Sequence, residues 1–425
     1  MAATVIERDG QKVKIQIEVT LTSSMLQTEE AIQQALNEAG TLATTEALQV
    51  FDTDGAPLDL GSARYTSKGQ QPKTYQTPYG ETVVDRHVYQ TSEGGATFCP
   101  LEQQARIILT ATPFFAKQVS AKYAEMAGGR VVRDLRSNHG RPVSLCLVQD
   151  LAAVVGSIAQ AKEEHWRYAT PKLDKAIATI SIGLDGTCLL LVGDGGRQAM
   201  VGTISLYDTK GERQHTIYLA AEPQYGKDKF YQRLDREIQH TQLAYPQAHV
   251  TGVADGSEDN WTFLGKYTKD ECIDFWHVAS YLSRAATAAR PHSKSEQEQW
   301  TQERCHRLKH QEGAADKILR EIKKVKTKGL RKTAQEELAA AITYMSNHKH
   351  QMKYAQRVAL GLPIGSGVTE SACKTLVKIR MCRSGAKWTE EGAGIVLTLR
   401  ALNYTQGRWD QFWSKVDQYG FPIDL

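Results

Sequence analysis

Val13, Ile15, Ile17, Val19 and Leu21 fall on every second position near the start of the chain, the period of a half-buried strand. Ser24 then stands where a helix cap belongs, ahead of a helix running through Ile32 and Leu36. Pro57 to Thr77 is rich in Gly, Ser, Gln and Pro and reads as loop; Pro78-Tyr79-Gly80 reads as a hairpin turn before a strand over Thr82 to Tyr89. From Leu101 to Trp166 the pattern is helical. It breaks at Gly128-Gly129 and at His139-Gly140-Arg141-Pro142, and the next helix starts near Ser144. The spacing suits a helix-turn-helix, with Arg130, Arg133 and Arg136 on or beside the short helix Val131 to Asn138 as candidate contacts to DNA phosphates. A plain helical bundle gives the same pattern, and the helix after Ser144 is too apolar for a typical reading helix.

The pattern changes after Ala176. Ala178 to Leu184 and Cys188 to Val192 are apolar, and Met200 to Tyr207 and His215 to Ala220 flank the turn Asp208-Thr209-Lys210-Gly211, so three antiparallel strands are expected. Phe230, Leu234 and Ile238 recur every four residues on a helix ending before Pro246; Ala248 to Ala254 forms a strand, and Cys272 to Val278 a short fifth one. Three antiparallel strands, helix, strand, helix, strand is the order of the RNase H-like fold, an order other α/β domains share. His277 to Leu362 is almost wholly helical and polar and reads as an insertion, after which the core resumes beyond Gly365-Ser366-Gly367. The expected architecture is α/β: an RNase H-like mixed five-stranded sheet with helices, interrupted by a helical insertion. The expected segments are an N-terminal α+β region (1–98), a helical, helix-turn-helix-like region (99–168), the first part of the core (172–278), a basic helical insertion (279–362), and the second part of the core with C-terminal helices (363–425).

At 425 residues the chain is long enough for two or three domains, and 41% hydrophobic with 24% charged residues excludes a disordered or fibrous class. The net charge of +4 is weakly basic, so affinity for polyanions must come from local clusters. One such cluster is Lys317, Arg320, Lys323, Lys324, Lys326, Lys328, Arg331 and Lys332, where Glu321 is the one clear counter-charge. The cysteines are seven, scattered and free of any Cys-x-x-Cys pair, which argues against a zinc ribbon or a disulfide scaffold. Met1 to Arg8 lacks a signal-peptide profile and no apolar run approaches the ~18 residues of a membrane span, so a cytoplasmic protein without membrane partners is expected.

Three acidic residues stand at predicted element ends: Asp185 in Ile182-Gly183-Leu184-Asp185-Gly186, Asp255 in Val253-Ala254-Asp255-Gly256, and Glu370 in Gly365-Ser366-Gly367-Val368-Thr369-Glu370. Singly, Asp-Gly is a hairpin signal and Glu370 a first-turn glutamate favoured by the helix dipole. In the expected fold the first strand is central, the fourth lies beside it, and the late helix crosses them. Three carboxylates gathered in this way are hard ligands for two Mg²⁺ (or Mn²⁺) ions on the order of 4 Å apart, the arrangement that phosphodiester cleavage uses.

The block from Gly365 to Lys374, with Arg383-Ser384-Gly385 and Trp388, resembles the C-terminal signature of ISKra-type bacterial insertion-sequence transposases. The resemblance is clear from about Ala176 to Trp413. It implies a DDE transposase with Asp185, Asp255 and Glu370 as catalytic triad, acting on transposon ends and target DNA in the bacterial nucleoid. Asp274-Phe275-Trp276-His277 is similar to the Cys/Asp-x-x-His motif after the second aspartate in Mutator-like transposases, which adds Asp274 and His277 as candidates. A strand-end histidine bonded to a nearby carboxylate is the alternative for His277. Lys374 and Lys378 follow Glu370 at intervals of four; with Arg380, Arg383 and Lys387 beside Trp388 they are candidate DNA contacts, as are Lys323, Lys324, Lys326 and Lys328.

The expected activity is therefore two-metal cleavage at transposon ends followed by transfer of the 3′ hydroxyl into target DNA, with a homodimer pairing two ends. The alternatives are an RNase H-like nuclease without strand transfer and a domesticated DNA-binding protein.

Overall fold

Ser24 caps the first long helix as its position predicts, its hydroxyl accepting from Gln27 N at the start of α1 (Met25–Gln49). We describe a computed structural model of the chain, covering all residues except 1, 62, 164, 224–226 and 422–425. The chain divides into two units: Met1–Tyr168 with Thr398–Asn403 and Arg408–Leu425, and Ala169–Leu397 with Tyr404–Gly407. The C-terminal helices are thus shared between the units, where the sequence pattern predicts that they belong to the core.

In the first unit the predicted single strand at the start is a hairpin of β1 (Ala3–Asp9) and β2 (Lys12–Ile17), turning at Gly10 in the left-handed region (φ 57°). Leu21, read as the end of that strand, lies beyond it and is exposed. The predicted loop over Pro57 to Thr77 is instead β3 (Leu58–Leu60) and the whole of β4 (Ala63–Gln76), paired with β5 (Glu81–Thr91), which pairs in turn with β6 (Gly94–Phe98). β4 is mostly polar and buries only Tyr75 fully, so it carries no apolar period and is held by its backbone ladder; a bulge between Ser67 and Gln70 absorbs Gly69. The turn at Pro78-Tyr79-Gly80 is as predicted, with Thr77 N donating to Gly80 O. Leu48, Tyr75, Val84, Leu101 and Ile107 form a core here.

The short α2 (Pro100–Gln104) leads to α3 (Pro113–Glu125), α4 (Gly128–His139) and α5 (Leu145–Lys162), the last capped by Ser144. By length and apolarity α5 meets the criterion for a membrane span, contrary to the sequence reading; Val148, Leu151, Ala152, Val155, Ile158 and Ala159 on it are buried.

The second unit is built on a five-stranded sheet of order β11-β10-β7-β8-β9: β7 (Ile177–Leu191), β8 (Gly195–Asp208), β9 (Arg213–Ala221), β10 (His249–Ala254) and β11 (Glu271–Ile273). β7, β8 and β9 are antiparallel, while β10 and β11 run parallel to β7. The chain is therefore mixed α/β, with its first core strand central. Asp185 does not end β7, as the sequence suggests, but sits within it, because the ladder to β8 continues through Asp185↔Val201 as far as Leu191↔Gly195.

Alternation along β8 decides which helix covers which face of this sheet. A methyl on Gly202 would touch Leu234 and Phe230 of α6 (Asp228–Ala244), while Thr203, next in sequence and so on the opposite face, bonds Thr369 of α13 (Gly367–Ala372). α7 (Glu258–Leu264) joins α6 around Ile180, Ile182, Leu184, Ile204 and Leu219.

The predicted strand Cys272 to Val278 is real only to Ile273. Asp274 then caps α8 (Phe275–Ala289), taking His277 N at 2.7 Å, and this cap turns the chain into helix. α9 (Lys294–His310), α10 (Ala314–Lys323), α11 (Lys332–His348) and α12 (Tyr354–Ala359) follow. They are not a merely polar insertion: with α8 they bury Trp300, Leu308, Ile318, Ile322, Leu338 and Met345 in one core with Val253, Cys272 and Ile273 of β10 and β11. After α13 a π-helical segment, Cys373–Lys378, continues into α14 (Ile379–Met381); α15 (Glu390–Tyr404) and α16 (Arg408–Tyr419) end the chain.

Candidate active site

The last residues of the parallel β10–β7 ladder are Ala254 opposite Leu184, so Asp255 and Asp185 come next at the same level on strands ~4.8 Å apart. Asp185 is two residues beyond Gly183 and thus on the same face of the sheet, the face that α13 covers. Asp255 leaves β10 in a turn that its own side chain closes, Oδ1 accepting from Ser257 N and from Asn260 Nδ2, each at 3.1 Å.

α13 reaches this level because Gly183 leaves room for it. A methyl at Gly183 would overlap Thr369 Oγ1 and lie 2.9 Å from Thr203 Oγ1, and those two hydroxyls share a 2.7 Å hydrogen bond. The helix so seated carries Glu370 one residue on and Cys373 three residues after that. Cys373 Sγ donates to Asp185 Oδ2 at 3.4 Å, which joins the helix directly to the strand carboxylate.

Ser366 and Asp274 fix the other side. Ser366 N and Oγ both donate to Asp274 Oδ2, at 2.5 and 2.8 Å, and Ser366 Oγ also lies 2.8 Å from Glu370 Oε1. One hydroxyl proton serves one acceptor at a time, so Asp274 and Glu370 compete for it while the Ser366 N–H stays with Asp274. Asp274 is fully buried, and its other oxygen faces His277, 2.7 Å from the backbone N and 3.4 Å from Nδ1. His277 does pair with a nearby carboxylate, but it sits in the first turn of a helix and not at a strand end. One ligand atom each from Asp274, His277 and Glu370 lie within 4.8 Å of one another. Because Asp274 already accepts from Ser366 and His277, its role is to position both; Glu370 and His277 are the members left facing outward, with Glu370 exposed.

The electrostatics follow from this crowding. Burial pushes the Asp185 carboxyl above its ordinary value, and the charges of Asp255 and Glu370 push the same way, against hydrogen bonds from Gly186 and Cys373. Burial also works to raise Asp274, but the hydrogen bonds from His277 and Ser366 outweigh it and hold that carboxyl below its usual range. The bond to Asp274 raises His277 above its ordinary value; burial opposes this, and the charges of Asp274, Glu370 and Asp255 add to it. Burial, with Asp185 alongside, keeps the Cys373 thiol well above its ordinary range and hence protonated.

Asp185, Asp255, Glu370, Asp274 and His277 therefore converge, although they come from four separate stretches of chain. The predicted DNA contacts are placed differently. Lys374 and Lys378 are exposed, as Glu370 is, but the π-helical turn between them alters the helical period, so the i, i+4 face read from the sequence does not hold. Lys387 is exposed and Arg383 partly so, its Nε bonded to Ile379 O. Arg380 is 4% exposed with its guanidinium 5.1 Å from the Trp388 ring, which removes it from the surface.

Lys323, Lys324, Lys326 and Lys328 are exposed at the end of α10 and beyond. Glu321 does not neutralise that cluster, because it accepts from Arg304 and Arg307 of α9. Arg130, Arg133 and Arg136 are exposed on α4 of the first unit. Reading the sequence misses Ser366, Thr369 and Cys373 as members of the site, though all three lie in the stretch Gly365 to Lys374 that drew notice to Glu370. No family model and no curated protein matches the chain.

Proposed function

We propose that the second unit is an RNase H-like catalytic core and that the chain is a DDE-type DNA transposase, cleaving DNA at the ends of an insertion sequence and joining the 3′ ends to target DNA. The observation that carries this reading is that Asp185 and Asp255 stand at one level on neighbouring parallel strands, while Glu370 lies on the helix whose continuation bonds Asp185 through Cys373. The strand order supports it, with three antiparallel strands followed by two parallel ones on the far side of the first. So does the likeness of Gly365 to Lys374, Arg383-Ser384-Gly385 and Trp388 to the ISKra-type transposase signature.

The donor set fits hard divalent cations: Asp185, Asp255 and Glu370 are carboxylates, with the His277 imidazole beside them, and the one nearby thiol is kept protonated. Two Mg²⁺ or Mn²⁺ ions held by Asp185, Asp255 and Glu370 would supply the charge that activates an attacking oxygen and stabilises a leaving one. The chain's own residues do the rest. Asp274 ties the Ser366 loop to the start of α8 and turns the His277 ring toward Glu370, where it faces a non-bridging phosphate oxygen. Ser366 orients Glu370. The exposed Lys374 and Lys378, and the exposed lysines after α10, bind backbone phosphates. Two copies pair two DNA ends, which calls for a dimer in the DNA complex.

The test uses labelled duplexes tiled across the DNA that flanks the coding sequence, incubated with the full chain and Mg²⁺. Joined products longer than the substrate support transposition, and Glu370→Gln should abolish them. Cleavage without joining would make the chain a nuclease; DNA binding that Glu370→Gln leaves intact, with no cleavage by the native chain, would make it a binding protein.

A further inference from the structure

The chain has seven tryptophans, and among the described residues six of them are buried or partly buried, whereas Trp276 is 63% exposed. A single apolar residue on a surface is ordinary, so the exposure alone decides nothing. Its place in the fold does.

Trp276 stands in the first turn of α8, directly before His277. A β-carbon on Gly365 would lie 3.5 Å from its Cδ1, 3.7 Å from its Nε1 and 3.4 Å from Asp274 Oδ2. The pyrrole edge of the indole therefore runs along the loop whose next residue, Ser366, bonds both Asp274 and Glu370. His277, the next residue on the helix, offers a ring nitrogen within 4.8 Å of a Glu370 carboxylate oxygen. The two residues that flank Glu370 thus flank the indole as well, one along the helix and one along the loop, and this sets the ring at the rim of the acid site.

The ring is held in place while a face of it stays open to solvent. Phe275 meets it edge-on at 5.7 Å between centroids. Lys309 of α9 sets its amino group 4.4 Å from the centre of the Phe275 ring and 5.6 Å from that of Trp276. Among the described residues Lys309 has no carboxylate partner, so its charge is held beside the indole by aromatic rings alone. A flat aromatic face next to an unneutralised cation matches the two parts of a nucleotide: bases stack on aromatic side chains whatever their sequence, and the backbone phosphate takes the cation.

We propose that Trp276 is a DNA-binding residue of this site: an unpaired base next to the phosphate at Glu370 stacks on its indole, and Lys309 binds the phosphate of that nucleotide. This rests on the reading of the acid cluster as a phosphodiester-cleaving centre and deepens it by naming what is recognised beside the cut, a base outside the duplex without regard to its identity. A base inside a duplex has no free face to offer, so the contact selects DNA that is opened at the cut.

Flanking-DNA duplexes carrying one unpaired nucleotide, moved position by position along the strand, are made with the base of that nucleotide and without it, so that no pairing differs between the two forms. The Kd of the full chain for each is measured in Ca²⁺. At one position the native chain should bind the form with the base roughly ten-fold more tightly. Trp276→Ala should bind that form roughly ten-fold more weakly than the native chain does and no longer distinguish it from the abasic form; Trp276→Phe, which keeps an aromatic face, should recover part of the difference. Lys309→Gln should keep the preference for the base and lower the slope of log Kd against log salt by about one. If the native chain binds and cleaves DNA but shows no preference for a base at any position, or if the preference survives in Trp276→Ala, the role of Trp276 is overturned while the reading of the acid site stands. If the native chain neither binds nor cleaves any duplex, that reading falls and the role of Trp276 falls with it.

Discussion

Substituting Gly183 by alanine should displace Glu370 without touching it. The added methyl would overlap Thr369 Oγ1 and sit 2.9 Å from Thr203 Oγ1 and 3.4 Å from Thr369 Cβ. Restoring ordinary contact at ~3.5 Å requires the Thr369 hydroxyl to retreat by on the order of 1 Å. Rotating Thr369 would relieve the clash, but it breaks the 2.7 Å bond to Thr203, whose buried hydroxyl then loses that partner.

Moving the helix instead carries Glu370 away from Asp185. Overpacking of this kind costs about 1–3 kcal/mol, and an ångström of misplacement in a catalytic group costs about a hundred-fold in rate. The assay is a double-mutant cycle of Gly183→Ala with Thr369→Ala, read by urea unfolding and by DNA cleavage. Thr369→Ala vacates the space that the new methyl needs, so the double variant should be more stable than the sum of the single losses predicts, by about 0.5–3 kcal/mol. Additive losses, or a Gly183→Ala variant of native stability and activity, would refute the close packing of α13 on β7.

Asp274→Asn should destabilise the chain by about 1–3 kcal/mol in urea melts, because an amide cannot accept from both Ser366 and His277 as the carboxylate does; it should also slow cleavage while leaving Asp185 and Asp255 in place. In the first unit, Glu102 accepts from Lys73 and from Tyr75, and Arg86 lies beside it. Burial works to raise its carboxyl, but those partners hold it below its ordinary value. A carboxylate depressed in the folded state contributes stability above its unfolded pKa and loses it as pH falls through the folded value. Glu102→Gln should therefore unfold more easily than the native chain at pH 7, with the difference closing below about pH 4; a gap that does not change with pH would contradict the ion-pair account.

The acid site was legible in the sequence because each of its carboxylates borders an apolar run or opens a helix, and boundaries of that kind are local signals. What escaped was decided by contacts at long range. β4 has no period of its own, since Gln70, Gln71 and Pro72 are exposed and the strand exists through its pairing to β5. The run Cys272-Ile273-Asp274-Phe275-Trp276 is apolar enough for a strand, and only the Asp274 cap, itself tied to Ser366 far along the chain, makes its second half helical. Asp185-Gly186 imitates a hairpin signal, whereas the ladder to β8 carries β7 straight through it. The helices after α8 look polar because each buries only a narrow stripe, such as Trp300 and Leu308 on α9, and the shared core emerges only when the stripes meet.

Anomalous diffraction from crystals of the chain soaked in Mn²⁺ examines the central claim most directly, since that claim is about where divalent ions bind. Manganese peaks should lie within about 2.0–2.5 Å of carboxylate oxygens of Asp185, Asp255 and Glu370, and should vanish in Asp185→Asn. Crystals that take up manganese elsewhere on the chain, and none between these three side chains, would contradict it.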